Sequence, residues 1–165
     1  MTGKVDLLLK GGRVMDPSVG LDSHKDVAFT DGKISAILDS NSLVEAKEVQ
    51  DVSGCIVCPG LIDLHTHVYW GATGLGVNAE DIAGRSATTT FIDAGSAGAG
   101  NFGGLKHFIA DNTDLRILGF INISFAGICG FSKKKANLFP ECEDIRLLDT
   151  DECLEAIEKY RDSIV

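Results

Sequence analysis

The chain has 165 residues, which is about the length of one domain. Its 24 acidic and 15 basic side chains give a formal net charge of −9, and 44% of its residues are hydrophobic. The acidic balance argues against binding to nucleic acid or to an anionic membrane surface, since both attract clustered Lys and Arg. The apolar content argues against global disorder, because a chain of this hydrophobicity can bury a core.

The lack of a visible targeting signal and the cysteine usage favour a cytoplasmic protein. The first apolar stretch, residues 5–9, is too short for a secretion signal, and no stretch approaches the roughly 18 apolar residues of a transmembrane helix. The five cysteines stand at irregular spacing, which is typical of reduced thiols rather than of a disulfide framework. We therefore expect no membrane partner.

The first 57 residues predict a small β layer. A strand over residues 5–9 ends at a predicted Gly11-Gly12 turn. Residues 26–30 and 33–37 predict a hairpin, because Asp31-Gly32 between them supplies the positive φ angles of a type I′ turn. This layer is too small to be a complete domain.

From Pro59 onward the pattern alternates between strand and helix. Strands are predicted over residues 61–67, 88–92 and 115–123, and helices over residues 78–87, 102–110 and 149–160. Asn78 is the predicted N-cap of the first helix, and the last helix is expected to bury Cys153, Leu154 and Ile157. Residues 163–165 predict the opening of a fourth strand. Repeated βα units imply a parallel sheet with right-handed crossovers.

The segment Asp63-Leu64-His65-Thr66-His67 carries the sharpest chemical signal. Side chains alternate between two faces of a strand, so Asp63, His65 and His67 are expected on one face. Ile62 and Leu64 are expected on the other face, against covering helices. Two imidazoles at the C-terminal end of a parallel strand converge at the sheet edge where α/β proteins place their sites.

Neutral imidazole is a good ligand for zinc and similar divalent ions. We therefore predict His65 and His67 as metal ligands, and Asp63 as a carboxylate that orients a ligand or touches the metal. The alternative interpretation is two partly exposed histidines that close a strand.

Three parts of the chain resemble the amidohydrolase superfamily. Residues 59–67 are similar to the first barrel strand of that family, and residues 11–16 and 31–34 to its N-terminal β-sandwich half. Residues 88–98 are similar to the second strand of the dihydroorotase-like deacetylase branch. True dihydroorotases usually carry a Pro-Asn pair just after the Asp of that strand, and Ala94-Gly95-Ser96 stands here instead, which disfavours dihydroorotase itself.

The resemblance implies an α/β fold. Residues 58–165 would form an incomplete (β/α)8 TIM-type barrel, with its first three βα units and the start of the fourth strand. Residues 1–57 would form the N-terminal half of a β-sandwich. A complete barrel needs roughly 250 residues, so the barrel expected here is partial.

The resemblance also implies a metal-dependent hydrolase of amide C–N bonds other than peptide bonds. Its small-molecule substrate would be an N-acyl amino acid, which is deacetylated, or a related cyclic amide. His65 and His67 match the pair that binds the more buried of one or two divalent ions, usually zinc, and Ser96 and Asn122 lie where substrate would be met. A carboxylated Lys, two further His and the general-base Asp are expected beyond Val165. We therefore expect this chain alone to have little or no activity.

Two other functions remain open. A non-catalytic, truncated half-barrel would bind a metal or a partner without turnover, and its open sheet edges would favour homo-oligomers, aggregation or partial folding. A nucleotide-binding protein is suggested by Gly98-x-Gly100-x-x-Gly103. That motif is disfavoured because its first glycine does not directly follow the predicted strand and no acid closes the next strand.

Weaker motifs are interpreted structurally. The pair Cys55-x-x-Cys58 has no second pair at zinc-site spacing, so both are expected to be buried as small apolar residues. The lysines 133–135 are interpreted as solvated charges. The acids at positions 141, 143, 144, 149, 151 and 152 are interpreted as a solvated helix start rather than a metal cluster.

Overall fold

The computed structural model describes residues 4–40, 42–128, 142 and 144–165, and the chain folds as two compact units, Met1–Pro59 and Gly60–Val165. This division lies close to the predicted boundary after residue 57, and the assignment of residues 1–57 and 58–165 as domains stays a prediction. Some residues interpreted above lie outside the described ones: Cys129, Lys133, Lys134, Lys135, Glu141 and Glu143.

The first unit is a five-stranded sheet. Its strands are β1 (Val5–Asp16), β2 (Leu21–Thr30), β3 (Lys33–Asp39), β4 (Ala46–Asp51) and β5 (Ile56–Val57). The order is β3-β2-β1-β4, with β5 also paired to β1. The first three strands run antiparallel, whereas β4 and β5 run parallel to β1. The predicted hairpin is confirmed: Asp31 and Gly32 have φ angles of 52° and 70°, as a type I′ turn requires.

The predicted turn at Gly11-Gly12 is wrong, because β1 continues through both glycines. The pairing of β1 with β2 shifts register between Leu9 and Gly12, which marks a β-bulge, and Gly11 has a φ of 80°. The Gly11 N–H donates to Asp26 Oδ1 at 2.8 Å, and Asp26 is buried. Two glycines permit a turn or a bulge equally well, and the long-range partner Asp26 decides between them.

The second unit is an α/β arrangement around a three-stranded parallel sheet. Its elements are β6 (Leu61–Thr66), α1 (Ala79–Ser86), β7 (Thr88–Gly98), α2 (Phe102–Gly104), β8 (Arg116–Asn122) and α3 (Thr150–Lys159). The strand order is β6-β7-β8, and Gly119 of β8 bridges in parallel to Ile164. The predicted parallel order of the βα units is therefore confirmed, whereas the start of a fourth strand rests on this single bridge and stays a prediction. One core cluster consists of Val68, Ala79, Phe91 and Ile117.

The predicted N-cap of the first helix is confirmed, and Asp149, predicted as the first residue of the last helix, is the N-cap of α3. Asn78 accepts a hydrogen bond from the Glu80 N–H at 3.1 Å and caps α1. The Asp149 carboxylate accepts from the N–H groups of Asp151 and Glu152 at the start of α3. The contacts of Asp149 support the interpretation of Asp149, Asp151 and Glu152 as a helix start.

The buried face of α3 differs from the prediction. Cys153 and Ala156 are buried, whereas Leu154 is 60% exposed and Ile157 is 37% exposed. The side of α3 that faces the sheet is narrow and consists of Cys153 and Ala156, which lie three residues apart. The Cys153 thiol contacts the Asn122 carbonyl oxygen at 3.6 Å.

The predicted regular helix over residues 102–110 is wrong in its winding. It begins as α2, continues as a π-helix over Leu105–Ile109 and ends as a 3-10 turn over Ala110–Asn112. Two adjacent glycines in α2 offer little intrinsic preference for regular α-helix. Burial of Phe102 and Leu105 in a cluster with Tyr69 and Ala97 therefore has more influence on the winding.

Two expectations of burial, which concern four residues, are also wrong. Ile62 and Leu64 of β6, predicted to lie under helices, are 60% and 69% exposed, because β6 is an edge strand of the described sheet. Cys55 and Cys58, predicted to be buried, are exposed free thiols. Among the residues described, no helix is both long and apolar enough to cross a membrane.

Candidate metal centre

The two histidines of the motif lie side by side at the C-terminal end of β6. Their ring centroids are 5.7 Å apart, with an angle of 74° between the ring planes. His65 is exposed and His67 is half-buried. Both rings are thus adjacent at the carboxyl end of a parallel strand, which is where parallel sheets present their sites.

A bulge interrupts the alternation that the sequence predicted for this strand. Asp63 pairs with Phe91 and Thr66 pairs with Asp93, so three residue steps on β6 match two on β7. Strict period-two alternation therefore does not hold from Asp63 to His67. The Thr66 hydroxyl donates to the Ile92 carbonyl oxygen at 3.0 Å and ties the end of β6 to β7.

The carboxylate of Asp63 makes a local contact. Its Oδ1 accepts a hydrogen bond from the His65 main-chain N–H at 3.1 Å. This bond restrains the backbone that carries His65. The His65 residue is otherwise exposed. The predicted contact of Asp63 with a ligand ring or with a metal stays a prediction.

Ser96 lies beside His67. Its Oγ is 3.0 Å from His67 Nδ1, and the residue is fully buried. Ser96 was predicted to meet substrate from its place after the predicted strand over residues 88–92, and in the structure it lies within β7. The structure instead gives its hydroxyl a protein partner, and direct contact with substrate stays a prediction.

Asn122 ends β8 and is also buried. Its Nδ2 donates to the Gly95 carbonyl oxygen at 3.0 Å, and its Oδ1 accepts from the Ser124 N–H at 2.9 Å. These bonds join the ends of two neighbouring strands. The side chain therefore stabilises the loops around the site, and its predicted role in binding substrate is untested.

Asp93 is a site residue that the sequence analysis missed. It is fully buried, its Oδ2 accepts from the Val68 N–H at 2.8 Å, and its Oδ1 accepts from the Ser96 N–H at 2.7 Å. A buried carboxylate is costly unless it is hydrogen-bonded, and both oxygens are. The available signal was an acid that follows the run Thr88–Ile92 of a buried parallel strand.

The segment after β6 is anchored as well. Val68 and Tyr69 are buried, and the Tyr69 hydroxyl donates to the Asn101 carbonyl oxygen at 3.1 Å. Burial raises the pKa of that hydroxyl above its ordinary value, so it stays neutral. The chain on the C-terminal side of His67 is thereby fixed to the helical segment that follows β7.

The glycine motif packs against protein. Strand β7 extends further than predicted and ends at Gly98, so no gap separates the strand from the glycine motif, contrary to the sequence interpretation. A Cβ at Gly98 would lie 2.6 Å from the Phe125 carbonyl oxygen, and a Cβ at Gly100 would overlap the Phe125 ring. The close approach that these glycines permit is to another part of this chain, which removes the main argument for a phosphate site.

The described residues contain two adjacent imidazoles and no group of three or more His, Cys, Asp or Glu side chains placed to hold a metal ion. A catalytic zinc ion keeps three protein ligands and a water molecule. The donor set fits a divalent ion chemically, and it supplies part of such a site. His107, in the helical segment after β7, faces Asp111, with Nδ1 3.2 Å from Oδ2.

Comparisons with known proteins extend along most of the chain. No family model matches. A deacetylase from Agrobacterium fabrum is 32% identical over 135 residues, which cover 82% of this chain and 32% of the relative. A dihydroorotase from Citrifermentans bemidjiense is 45% identical over 64 residues, which cover 39% of this chain and 15% of the relative. A crystal structure of a dihydroorotase superposes with a TM-score of 0.82 and 29% identity, covering 96% of this chain and 41% of that one.

The chain belongs to the amidohydrolase superfamily. The resemblance drawn from residues 59–67 and 88–98 is therefore confirmed. The chain spans about a third of the length of the deacetylases it matches. The deacetylase match runs over 135 residues and the dihydroorotase match over 64, so similarity to the deacetylase extends further along the chain.

Proposed function

We propose that this chain provides part of the active site of a metal-dependent amidohydrolase that cleaves an amide C–N bond other than a peptide bond. In this proposal the second unit is the first three βα units of a (β/α)8 barrel with the start of its fourth strand. The first unit is part of a β-sandwich. Support comes from the parallel order β6-β7-β8 and from the bridge between Gly119 and Ile164.

The observation that carries this proposal is the pair of adjacent imidazoles at the carboxyl end of β6. His65 and His67 would hold one of one or two divalent ions, and zinc suits their nitrogen donors. Bound zinc lowers the pKa of a water molecule and polarises a carbonyl group. The Asp that serves as general base and the other ligands would come from residues outside those described here.

The proposed substrate is a small N-acylated amino acid, a derivative of one, or a related cyclic amide. Relatives named deacetylase and dihydroorotase support hydrolysis of this bond type. Ala94-Gly95-Ser96 in place of a Pro-Asn pair favours the deacetylase over the dihydroorotase reaction. Asn122 orders the segment around Gly95 through its bond to that carbonyl oxygen.

A second candidate is a half-barrel that binds a metal or a partner without turnover. It is favoured by the donor count, since the described residues place two histidines together and no third ligand. Metal binding is required by the first candidate and allowed by the second, and the two differ in catalysis.

Metal binding is tested by zinc titration of the purified 165-residue chain against a chromophoric competitor. We expect weak binding in the wild type and its loss in His65→Ala and His67→Ala. His24→Ala is the matched control, because His24 is exposed on β2 in the other unit. Equal zinc binding by all four proteins would contradict the proposed site.

Catalysis is tested in two steps. The zinc-loaded chain is assayed against a panel of N-acetyl amino acids, and no turnover is expected. The coding DNA is then sequenced beyond codon 165. An in-frame continuation with a strand ending in Lys, two strand-end histidines and a late Asp supports the enzyme. A stop codon directly after Val165 supports the non-catalytic protein.

A further inference from the structure

The hydrogen bonds around His67 form a closed ring. Val68, which follows His67 in the chain, donates its N–H to Asp93 Oδ2 at 2.8 Å. Asp93 Oδ1 accepts from the Ser96 N–H at 2.7 Å, and Ser96 Oγ returns to His67 Nδ1 at 3.0 Å. One carboxylate therefore fixes both the backbone next to His67 and the residue that contacts its ring.

The ring of bonds is shielded from water. Val68, Asp93 and Ser96 are each fully buried. Hydrogen bonds in a low-dielectric interior are electrostatically stronger than in water, and a buried group that lost its partner would carry a large desolvation penalty. The arrangement is thus held in one geometry.

The main chain of Ser96 is held at both of its polar groups. Its N–H donates to Asp93, and its carbonyl oxygen accepts from the Ile128 N–H at 3.0 Å. A Cβ at Gly127 would overlap the Ser96 carbonyl oxygen, so the neighbouring backbone packs closely there. The position of the Ser96 hydroxyl is therefore determined by the backbone as well as by its own rotamer.

A histidine binds a metal through one ring nitrogen, and the hydrogen bond at the other nitrogen decides which one. With Nδ1 occupied by Ser96, Nε2 is the nitrogen of His67 that faces away from the protein contact. His65 lacks this restraint, because it is exposed and its described hydrogen bond is made by its main chain. Among the two histidines, the restraint therefore acts on the imidazole of His67.

We propose that Ser96 is a positioning residue that fixes the His67 ring so that it binds metal through Nε2, and that the buried Asp93 carboxylate holds Ser96 in place. This assignment rests on the proposed metal site. With a metal on Nε2, Nδ1 would keep the proton and its N–H would donate a hydrogen bond to Ser96 Oγ, so the serine would neither gain nor lose a proton. Ser96 acts through His67 and not on the substrate.

The test compares Ser96→Ala with Ser124→Ala. Ser124 is a buried serine that follows β8, so the control removes the same hydroxyl group from a comparable environment. Zinc affinity is measured by the same competition titration. We expect Ser96→Ala to weaken zinc binding roughly 10- to 100-fold, and Ser124→Ala to leave it within about threefold.

A second measurement on the wild type keeps the proposal falsifiable if Ser96→Ala does not fold. The ring nitrogens are followed by ¹⁵N NMR of histidine-labelled protein during zinc addition, in the solid state if the chain self-associates. Coordination of zinc at Nε2 of His67 with the proton on Nδ1 supports the assignment, and coordination at Nδ1 with the proton on Nε2 overturns it.

The experiments distinguish failure of the positioning role from failure of the metal site. If the wild type binds zinc and folded Ser96→Ala binds it equally well, the positioning role is wrong and the metal site stands. If the wild type binds no zinc, the proposed metal site is wrong and the positioning role falls with it.

Discussion

Asp93 shows how one buried side chain organises a site. Its two oxygens accept from two main-chain N–H groups, and an amide in its place offers one acceptor and one donor. We predict that Asp93→Asn lowers the free energy of unfolding by about 1–3 kcal/mol, because one buried N–H loses its acceptor. Urea unfolding measures this change. Asp114→Asn, at an exposed carboxylate, is the control, and an equal effect in both variants would contradict the prediction.

Gly98 and Gly84 make a matched pair at the residue scale. A Cβ at Gly98 would press on the main-chain oxygens of Ser124 and Phe125, whereas at Gly84 in α1 it would meet open space. We predict that Gly98→Ala destabilises the fold by roughly 3 kcal/mol, since backbone cannot yield as a side chain can. Gly84→Ala should stabilise it by about 1 kcal/mol through helix propensity. Thermal unfolding measures both changes in stability. A destabilised Gly84→Ala variant would refute the prediction for Gly84, and an unchanged stability of Gly98→Ala would refute the prediction for Gly98.

At the scale of elements, helix α3 depends on a narrow buried stripe. Cys153 is buried against β8, and burial raises the pKa of its thiol above the ordinary value, with the nearby Asp149 charge adding to the shift. A higher pKa leaves less thiolate at a given pH, and thiolate is the reactive form. We therefore predict that iodoacetamide at pH 8 modifies Cys55 and Cys58 before Cys153.

Mass mapping of the alkylated peptides over time measures that order. If Cys153 reacts as fast as the exposed thiols, the prediction is wrong and α3 does not stay packed on β8. Because the folded pKa is raised, the contribution of this thiol to stability is present below its unfolded pKa. That contribution declines as the pH rises above it.

Element boundaries were predictable where a local signal exists. Asn78 caps α1 as predicted, α3 begins within one residue of the predicted start at Asp149, and Asp31-Gly32 makes the hairpin turn. Winding was not predictable for residues 102–112, because the glycines there express no preference and the packing of neighbours decides. The bulge at Gly11 likewise depends on a carboxylate 15 residues away in sequence.

At the scale of the whole molecule, the exposed edge strand predicts self-association. Ile62 and Leu64 of β6 are 60% and 69% exposed on an open edge, where another strand can pair. We predict that the wild-type chain forms oligomers or aggregates, and that the double variant Ile62→Lys/Leu64→Lys shifts it toward monomer. Lysine on an edge strand opposes pairing through its charge and its hydration.

Light scattering after size-exclusion chromatography measures the effect. Leu43→Lys is the control, because Leu43 is fully exposed but lies outside the strands of the first unit. A monodisperse wild-type monomer with a sharp cooperative melt would contradict the prediction. So would equal behaviour of the edge variant and the control.

The pair His65 and His67 was found from sequence because two imidazoles at i and i+2 on a strand are a local pattern. The partners of that pair were not, since Asp93 and Ser96 lie more than 25 residues away along the chain. The sequence analysis located Ser96 near the site but as a group that meets substrate, because its place after the predicted strand over residues 88–92 says nothing about burial. Its contact with His67 depends on the pairing of β6 with β7.

Residue spacing was enough to predict the parallel βα order, the N-cap of α1 and the histidine pair, because each depends on a pattern within a few residues, and the resemblance of whole motifs to a known family indicated the superfamily. The bulges, the uneven winding after β7, the exposed edge of β6 and the buried hydrogen bonds through Asp93 and Ser96 became visible only in the folded chain. These features depend on contacts between strands that are distant in sequence, and on which groups such contacts leave in water or remove from it.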